Sequence, residues 1–298
     1  MSLLQASAKR QIALATIIRG RDASRYAPLT SWLLTLPLVA TFAIGFLYPV
    51  SKLVALSFAN GAESYLRIGQ DPLYVSVLTT TVITAAAVTA FCLVLGYPVA
   101  FAMTRLSGKA ALITAACVFV PLWTSVLIRS YAWIVLLQRN GIINNALQEA
   151  GLSDQPLKLL YTQGAVILGM THILLPFAIL PIYATLRTQP PDLARAAANL
   201  GAGPVRTFLL ITLPLSLPGV FAGGILCFVL ALGFYITPAL IGGPGSMLMA
   251  TLIGQQTTVL LDWPFAAALS TILLSVTLII VFLFRRALSL SKGFHSVH

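Results

Sequence analysis

Residues 214–241 read PLSLPGVFAGGILCFVLALGFYITPALI, and this stretch contains no charged side chain. A helix needs roughly 20 apolar residues to cross the hydrocarbon core of a bilayer. The run is continuous and does not alternate with polar residues, which favours a membrane-spanning helix over a strand. The fold class therefore depends on how many runs of this kind the chain contains.

Five further apolar segments flank this one. They cover residues 31–58, 73–103, 110–137, 164–186 and 263–284. Of the 298 residues 58% are hydrophobic and 8% are charged, and the mean hydropathy is +0.94. A water-soluble globule could not bury so much apolar surface, and a disordered chain would be poor in apolar residues. The sequence predicts an all-α integral membrane protein whose residues 29–286 form six transmembrane helices.

Lysine and arginine are distributed unevenly among the segments that connect these spans. With the N-terminus inside, the inner side carries thirteen of them: Lys9, Arg10, Arg19, Arg21, Arg25, Arg105, Lys109, Arg187, Arg195, Arg206, Arg285, Arg286 and Lys292. The opposite side carries four: Lys52, Arg67, Arg139 and Lys158. The positive-inside rule then predicts cytoplasmic tails over 1–28 and 287–298. The formal charge of +11 is explained by topology and anionic lipid headgroups, so no nucleic-acid partner is needed.

Prolines are frequent within the spans and at their ends. They are Pro37, Pro49, Pro98, Pro121, Pro176, Pro181, Pro214, Pro218 and Pro238. Proline removes a backbone donor and kinks a helix, and the freed carbonyls need partners inside the protein or in a wet cavity. The pattern favours helices that bend around a pathway. The alternative is the general enrichment of proline in transmembrane helices.

The connection between the fourth and fifth spans is more structured than an ordinary loop. Residues 187–220 read RTQPPDLARAAANLGAGPVRTFLLITLPLSLPGV. Pro191 and Asp192 suit the first turn of a helix, Gly201 suits its end, and Pro204 suits the start of a second short helix. Two short helices joined at a tight corner, with an alanine-rich face, predict a docking element for another protein. The alternative is an amphipathic helix that lies on the bilayer.

This stretch resembles the EAA loop of the permease subunits of bacterial binding-protein-dependent ABC importers. That pattern is Glu-Ala-Ala, three residues, Gly, nine residues, Ile, one residue and Leu-Pro. The chain matches it from Ala196 to Pro214, and Arg195 stands where the family has Glu. The resemblance implies a type I importer permease (MetI-like) fold and a loop over 188–214 that couples to an ATPase. The residues it assigns to coupling are Asp192, Arg195, Ala196, Ala197, Gly201, Arg206, Ile211, Leu213 and Pro214.

Two more stretches look like spermidine/putrescine-type permeases, namely residues 121–147 and 231–256. The resemblance therefore implies import of a small solute, first of all a polyamine, across the bacterial inner membrane. Related systems carry opines, aminophosphonates and other small solutes, which remain alternatives. The chain has no G-x-x-x-x-G-K-[ST] motif, so we expect no enzyme activity and no cofactor of its own. The implied partners are a cytoplasmic ATPase dimer, a second permease subunit (a paralogue or a copy), a periplasmic solute-binding protein and membrane lipids.

Polar and aromatic residues near the predicted breaks are candidates for the solute pathway. They are Trp123, Arg129, Tyr131, Trp133, Phe234, Tyr235, Thr237 and Asp262. Arg129 is a charge within a span and would repel a polyamine if it faced the pore, which favours a structural or gating role. The three cysteines fall in apolar runs without a CxxC pair, and we expect small buried residues rather than metal ligands.

Two other functional classes fit the sequence less well. An ion-driven secondary transporter would place ionisable groups at the bilayer midplane and show related broken helices. The spans contain no acid, and no internal repeat is evident. An intramembrane hydrolase could pair His172 with Ser125 or Ser216, but no Gly-x-Ser nucleophile motif surrounds either serine.

Overall fold

The computed structural model describes residues 28–293, and every regular element within that range is helical. The predicted tail over 1–28 lies almost wholly outside the described residues, as does the end of the predicted tail over 287–298. The longer helices are α1 Pro28–Phe42, α2 Tyr48–Ser57, α4 Pro72–Arg105, α5 Gly108–Trp123, α6 Val126–Leu137, α8 Gln163–Arg187, α11 Leu213–Leu232, α13 Met249–Thr258 and α14 Trp263–Gly293. The shorter ones are α3 Glu63–Gln70, α7 Ile142–Glu149, α9 Pro191–Asn199, α10 Pro204–Thr207 and α12 Ile236–Ile241.

The described residues divide into two compact units at Ala55. The first contains α1 and most of α2, which a π-helical turn at Ala43–Leu47 joins into one continuous helical segment. The most apolar 18-residue window within residues 32–57 has a mean hydropathy of 1.9, and none of that window is buried. A helix that is apolar all round and unburied needs lipid or another protein as its surroundings.

In the second unit, α4, α8 and α11 form the main core. Its buried side chains include Val88 of α4, Met170 and Leu174 of α8, and Phe228 and Leu232 of α11. Helix α5 packs beside them through Val118, which lies against Ala100, Ile179 and Ile182. Helices α4 and α8 match the predicted spans 73–103 and 164–186 closely, because long apolar runs without charge leave few alternative boundaries.

The backbones of α8 and α11 approach each other closely at two glycines of α11. Gly219 and Gly223 lie four residues apart on one face of α11. A Cβ atom at Gly219 would lie 2.7 Å from the carbonyl oxygen of Pro181, and one at Gly223 would lie 2.9 Å from that of Ala178. Small residues at this spacing allow close helix packing where lipid provides no hydrophobic driving force.

Two of the predicted spans are broken in the structure. The third, expected to be continuous over 110–137, bends by 104° between α5 and α6. The bend follows from two local bonds, because the Thr124 hydroxyl donates to the Pro121 carbonyl and the Ser125 hydroxyl caps α6 by accepting from Leu127 N–H. The fifth span stops at Leu232 and resumes as α12 at Ile236. The described residues thus contain five helices able to cross a membrane, or six if the bent pair counts as one span.

Helices α3, α13 and α14 meet the start of α4 in a separate apolar cluster. Tyr74 of α4 packs edge-on against Phe265 of α14, with ring centroids 5.2 Å apart. The buried Thr81 hydroxyl accepts the Met249 N–H of α13 at 2.8 Å. This bond satisfies one of the free donors at the start of α13 and fixes that helix on α4.

The cysteines differ from each other. Cys92 and Cys227 are buried as expected, and each thiol donates to a carbonyl of α8, at Thr171 and Leu174 respectively. Cys117 is exposed on α5, where the sequence predicted a buried residue. The apolar run around Cys117 faces outward from the chain, so its pattern did not distinguish a protein core from a lipid-facing surface.

The close approach of α8 and α11 leads to a stability prediction. Replacing Gly223 by alanine places a methyl group against the Ala178 backbone, and overpacking of this kind costs roughly 1–3 kcal/mol. Gly224→Ala is the matched control, because the nearest atom to its new Cβ is Leu93 Cδ1 at 3.4 Å, on a side chain that can move. Both changes gain the same helix propensity. Thermal unfolding in detergent should show a lower Tm for Gly223→Ala only, and equal shifts in both variants would contradict the packing described.

Candidate functional site: the elbow and the broken helices

The connection after α8 folds into a corner, which we call the elbow (residues 188–214). Helix α9 begins at Pro191 after the extended residue Pro190, and the carboxylate of Asp192 lies in its first turn. The helix ends because Gly201 adopts a left-handed backbone with φ +81°. Its N–H donates to the Ala198 carbonyl at 3.0 Å, and the next N–H donates to the Ala197 carbonyl at 3.0 Å. These bonds satisfy carbonyls at the end of α9 in the way predicted for Gly201.

The second half of the elbow runs into α11 without a break. Helix α10 passes into a π-helical turn at Phe208–Thr212, which leads directly into Leu213 and Pro214. The Gln189 side-chain amide donates to the Thr212 carbonyl at 3.1 Å and so ties the start of the elbow to its exit. A force on α9 can therefore reach α11 through bonded structure.

The two alanines of the family motif face in different directions. Ala197 is 8% exposed and packs inward, whereas Ala196 is exposed. Arg195 is also exposed and forms an ion pair with Asp192 at 3.5 Å within the same helix. The charge reversal at position 195 is thus accommodated by a neighbour in this chain.

The outer surface of the elbow is apolar. Its exposed large side chains are Leu193, Leu200, Val205, Leu209 and Leu210. Leu200 is 89% exposed. A shallow cavity of about 540 Å³ lies beside Arg206, with Val205, Leu209 and Leu210 in its wall. The alanine-rich pattern of α9 predicted a smooth face and did not reveal this apolar surface, although Leu193 and the seven-residue spacing to Leu200, directly after the helix, indicate it.

Positive charge surrounds the base of the elbow. A cavity of about 760 Å³ is bounded by the ends of α4 and α8 and by α9, and its wall includes Arg105, Arg187 and Arg195. Ile211 and Leu213 of the motif are half-buried, and Pro214 is exposed. The elbow therefore presents an apolar surface bordered by arginines.

The broken helices α6 and α12 meet each other against α8. The Ser130 hydroxyl donates to Val126 of its own helix at 2.9 Å, and it lies 2.9 Å from the Thr237 hydroxyl. Since a hydroxyl has one proton, Thr237 is the donor to Ser130. Both side chains are fully buried, so this bond is the polar link between the two helices.

Arg129 and Trp133 lie one turn apart on α6, beside His172 of α8. The Trp133 indole N–H donates to His172 Nδ1 at 3.2 Å, and the two rings are in an edge-on arrangement. Within the described residues, the buried Nε and Nη1 atoms of Arg129 have no hydrogen-bond partner. The structure brings a cation and two hydrogen-bonding rings together, and a role of Arg129 and Trp133 in the pathway stays a prediction.

The other pathway candidates are more dispersed. Phe234 packs against the core, and Tyr235 is 45% exposed at the break before α12. Trp123 and Tyr131 are exposed at 88% and 57%. Asp262 lies in the cluster of α3 and α14, where it pairs with Arg67 at 3.8 Å and caps α14 by accepting the Phe265 N–H. No group of three His, Cys, Asp or Glu side chains suited to a metal ion occurs among residues 28–293.

Comparison with known proteins gives a consistent family match. Residues 27–291 match the model of the family "Binding-protein-dependent transport system inner membrane component". The chain is 36% identical over 225 residues to the spermidine/putrescine transport system permease protein PotB of Escherichia coli (strain K12), which covers 76% of this chain and 82% of that protein. PotB of Haemophilus influenzae is 34% identical over 231 residues, which covers 78% of this chain and 80% of that protein.

A solved structure shares the fold. The crystal structure of a bacterial ABC transporter involved in the import of the acidic polysaccharide alginate superposes with a TM-score of 0.72 and covers 87% of this chain and 94% of its own. A second structure of a bacterial alginate ABC transporter, in complex with an alginate pentasaccharide-bound periplasmic protein, gives the same TM-score and covers 86% and 92%. Identity is 19% in both cases, so they establish the fold alone.

The Ser130–Thr237 bond can be tested by a double-mutant cycle. Ser130→Ala and Thr237→Val each remove one partner of a buried hydrogen bond and should cost about 1–3 kcal/mol. The double variant should lose less than the sum, with a coupling of about 1 kcal/mol. In a control cycle, Thr114→Val replaces Thr237→Val and should be additive with Ser130→Ala, because the Thr114 hydroxyl bonds to Ala110 of its own helix. Unfolding in detergent measures each variant, and simple additivity for the Ser130 and Thr237 pair would contradict the link.

Proposed function

The chain belongs to the family of binding-protein-dependent transport system inner membrane components, and on that premise we propose that it is the membrane-spanning subunit of an ATP-driven polyamine importer. The observation that carries this proposal is the elbow, a rigid and exposed apolar surface between two arginine-bordered cavities. The identity to spermidine/putrescine permeases over most of the chain supports the class of machine and of solute.

The elbow is the proposed contact with a separate ATPase. The exposed leucines of α9 and the following turn would bury on docking, and such burial is the usual source of affinity at the centre of an interface. Arg206 and Arg195 would form the polar edge. Because the elbow continues into α11, movement of the ATPase would be transmitted to the helix whose far end is the break before α12.

Charge supports an orientation with the elbow in the cytoplasm. Arg105, Arg187, Arg195 and Arg206 all gather at the elbow end of α4 and α8. The positive-inside rule places such a cluster on the cytoplasmic side. The start of α8 would then face the periplasm, about 37 Å away at 1.5 Å per residue.

Two further partners, a second permease subunit and a periplasmic binding protein, are proposed from the unburied apolar surface of the chain and from its membership of the importer family. A second permease subunit would complete the pathway, and the unburied span over residues 32–57 is suited to contact with it or with lipid. A periplasmic binding protein would deliver the solute. The alginate transporter of the same fold forms a complex with a periplasmic protein that is bound to an alginate pentasaccharide, which supports this arrangement.

Arg129 fits a polyamine importer as a positioning residue of the pathway wall. Two of its nitrogens, Nε and Nη1, are buried in the protein, so the guanidinium forms part of the packed wall rather than a binding site for the solute. The described carboxylates lie outside α4, α8 and α11, so aromatic faces and carbonyls near Tyr235 and Trp133 would contact the passing solute.

Docking through the elbow is tested by charging its most exposed leucine. Leu200→Glu should abolish co-purification with the ATPase and reduce uptake to background, because a carboxylate would be buried without a partner. Leu152→Glu is the control, since Leu152 is 75% exposed in the connection before α8, at the other end of that helix. Membrane insertion should be normal in both. Retention of the ATPase by Leu200→Glu would overturn the docking proposal.

The solute class is tested by uptake into proteoliposomes that contain the complete importer and its binding protein. We expect ATP-dependent uptake of labelled spermidine that excess putrescine inhibits. Excess octopine or 2-aminoethylphosphonate should have no effect, because the carboxylate or phosphonate groups remove the net positive charge that the proposed pathway accepts. ATP-dependent uptake of labelled octopine or 2-aminoethylphosphonate, without uptake of spermidine, would overturn the polyamine as the solute and leave the proposal of ATP-driven import intact.

A further inference from the structure

A basic pocket lies at the end of the bundle opposite the elbow. It is formed by residues 156–161, by Gln138 and Arg139 just after α6, and by the last turn of that helix; we call this surface the rim. The pocket has a volume of about 580 Å³. Arg139 and Lys158 both line it and both are exposed, and the described residues provide no ion pair for either.

The rim is held rigidly although it belongs to a connection. Asn144 is 1% exposed, and its amide donates to the carbonyls of Gln138 at 3.2 Å and Leu157 at 3.0 Å. Its side-chain oxygen accepts the Leu157 N–H at 2.9 Å. A buried amide with three bonds to backbone fixes the main chain beside Arg139 and Lys158 with respect to α6.

The other end of the rim is joined to the broken helix α12. Tyr161 has a left-handed backbone with φ +62°, and its N–H donates to the Ile241 carbonyl at 3.1 Å. A non-glycine residue in this conformation is held there by its surroundings at some cost in strain. The rim thereby connects α6, α8 and α12, which are the three helices that meet at the Ser130–Thr237 bond.

The lining of the pocket combines charge with apolar surface. Leu157 and Tyr161 are 46% and 54% exposed at its edge, and Leu137 and Leu160 are buried beneath it. Two unpaired cations above an apolar floor are complementary to a carboxylate carried on a protein surface. A polyamine is repelled by the same two charges, so the transported solute of the proposed function is not the occupant.

We propose that the rim is a docking position for an acidic segment of the periplasmic solute-binding protein, an inference that rests on the proposed function. The segment places one or two carboxylates between Arg139 and Lys158, with an apolar neighbour against Leu157. Because the rim is bonded to α12 and α6, docking there bears directly on the helices that border the pathway. The binding protein's arrival and the ATPase's movement then reach the same helices from opposite ends.

The test uses the complete complex with its ATPase in phosphatidylcholine vesicles and measures ATP hydrolysis against the concentration of solute-loaded binding protein. Arg139→Glu and Lys158→Glu should each raise the half-saturating concentration about tenfold. Hydrolysis without the binding protein should be unchanged, because neither residue touches the elbow. In the wild type, raising the salt should weaken the stimulation, since exposed charge pairs are screened. Gln148→Glu adds a negative charge at an exposed position on the same predicted side that does not line the pocket, and it should have no effect.

The outcomes separate this inference from the function on which it rests. Absence of stimulation in the wild type would count against a binding-protein-dependent importer altogether. If the wild type is stimulated normally and both rim variants reach half-saturation at the same binding-protein concentration as the wild type, the docking proposal for the rim is overturned and the proposed function stands. Anionic lipid headgroups could also bind the two cations, so the measurement is repeated with phosphatidylglycerol in the vesicles. If the rim variants weaken the stimulation only when this anionic lipid is present, the rim binds headgroups and the proposal is overturned.

Discussion

The near-contact of two helix backbones is the constraint on which the rest of this structure depends. Gly219 and Gly223 let α11 lie directly on the Ala178 and Pro181 carbonyls of α8. Hydrophobic burial cannot hold two helices together in lipid, where both are already in apolar surroundings, so close packing must do so. Helix α8 carries the elbow at one end and the rim at the other. Its fixed contact with α11 therefore determines how these two surfaces are related.

The breaks in the third and fifth spans place polar groups inside an otherwise apolar protein. Helix ends have unpaired backbone donors and acceptors, and within a membrane these are tolerated only where protein or a wet cavity covers them. The cap at Ser125 satisfies one such donor, at Leu127, and the Ser130–Thr237 and Trp133–His172 bonds pair polar side chains beside the breaks. This concentration of polar contacts is where the structure departs most from six simple helices, and it includes Trp133 and Thr237, whose role in the pathway stays a prediction.

The sequence predicted the long helices well and their interruptions less well. Helix α8 runs over 163–187 against a prediction of 164–186, because hydrophobic length determines a span. The bend at Thr124 depends on two hydroxyl bonds that leave the apolar composition unchanged, so composition could not reveal it. In the elbow, Gly201 was recognised because a helix end needs a left-handed residue. The inward turn of Ala197 and the rim around Asn144 depend on contacts between distant segments, which no local pattern contains.

The lack of carboxylates in α4, α8, α11 and α14 has an energetic consequence for the proposed transport. With no fixed negative charge in those helices to neutralise it, a polyamine would cross with its own charges, and each turnover would carry current. An interior-negative potential contributes about 2.3 kcal/mol per charge for every 100 mV. Entry of a polycation would thus be driven partly by the electric field across the membrane. Nucleotide hydrolysis would then serve mainly to open the route and to prevent backflow.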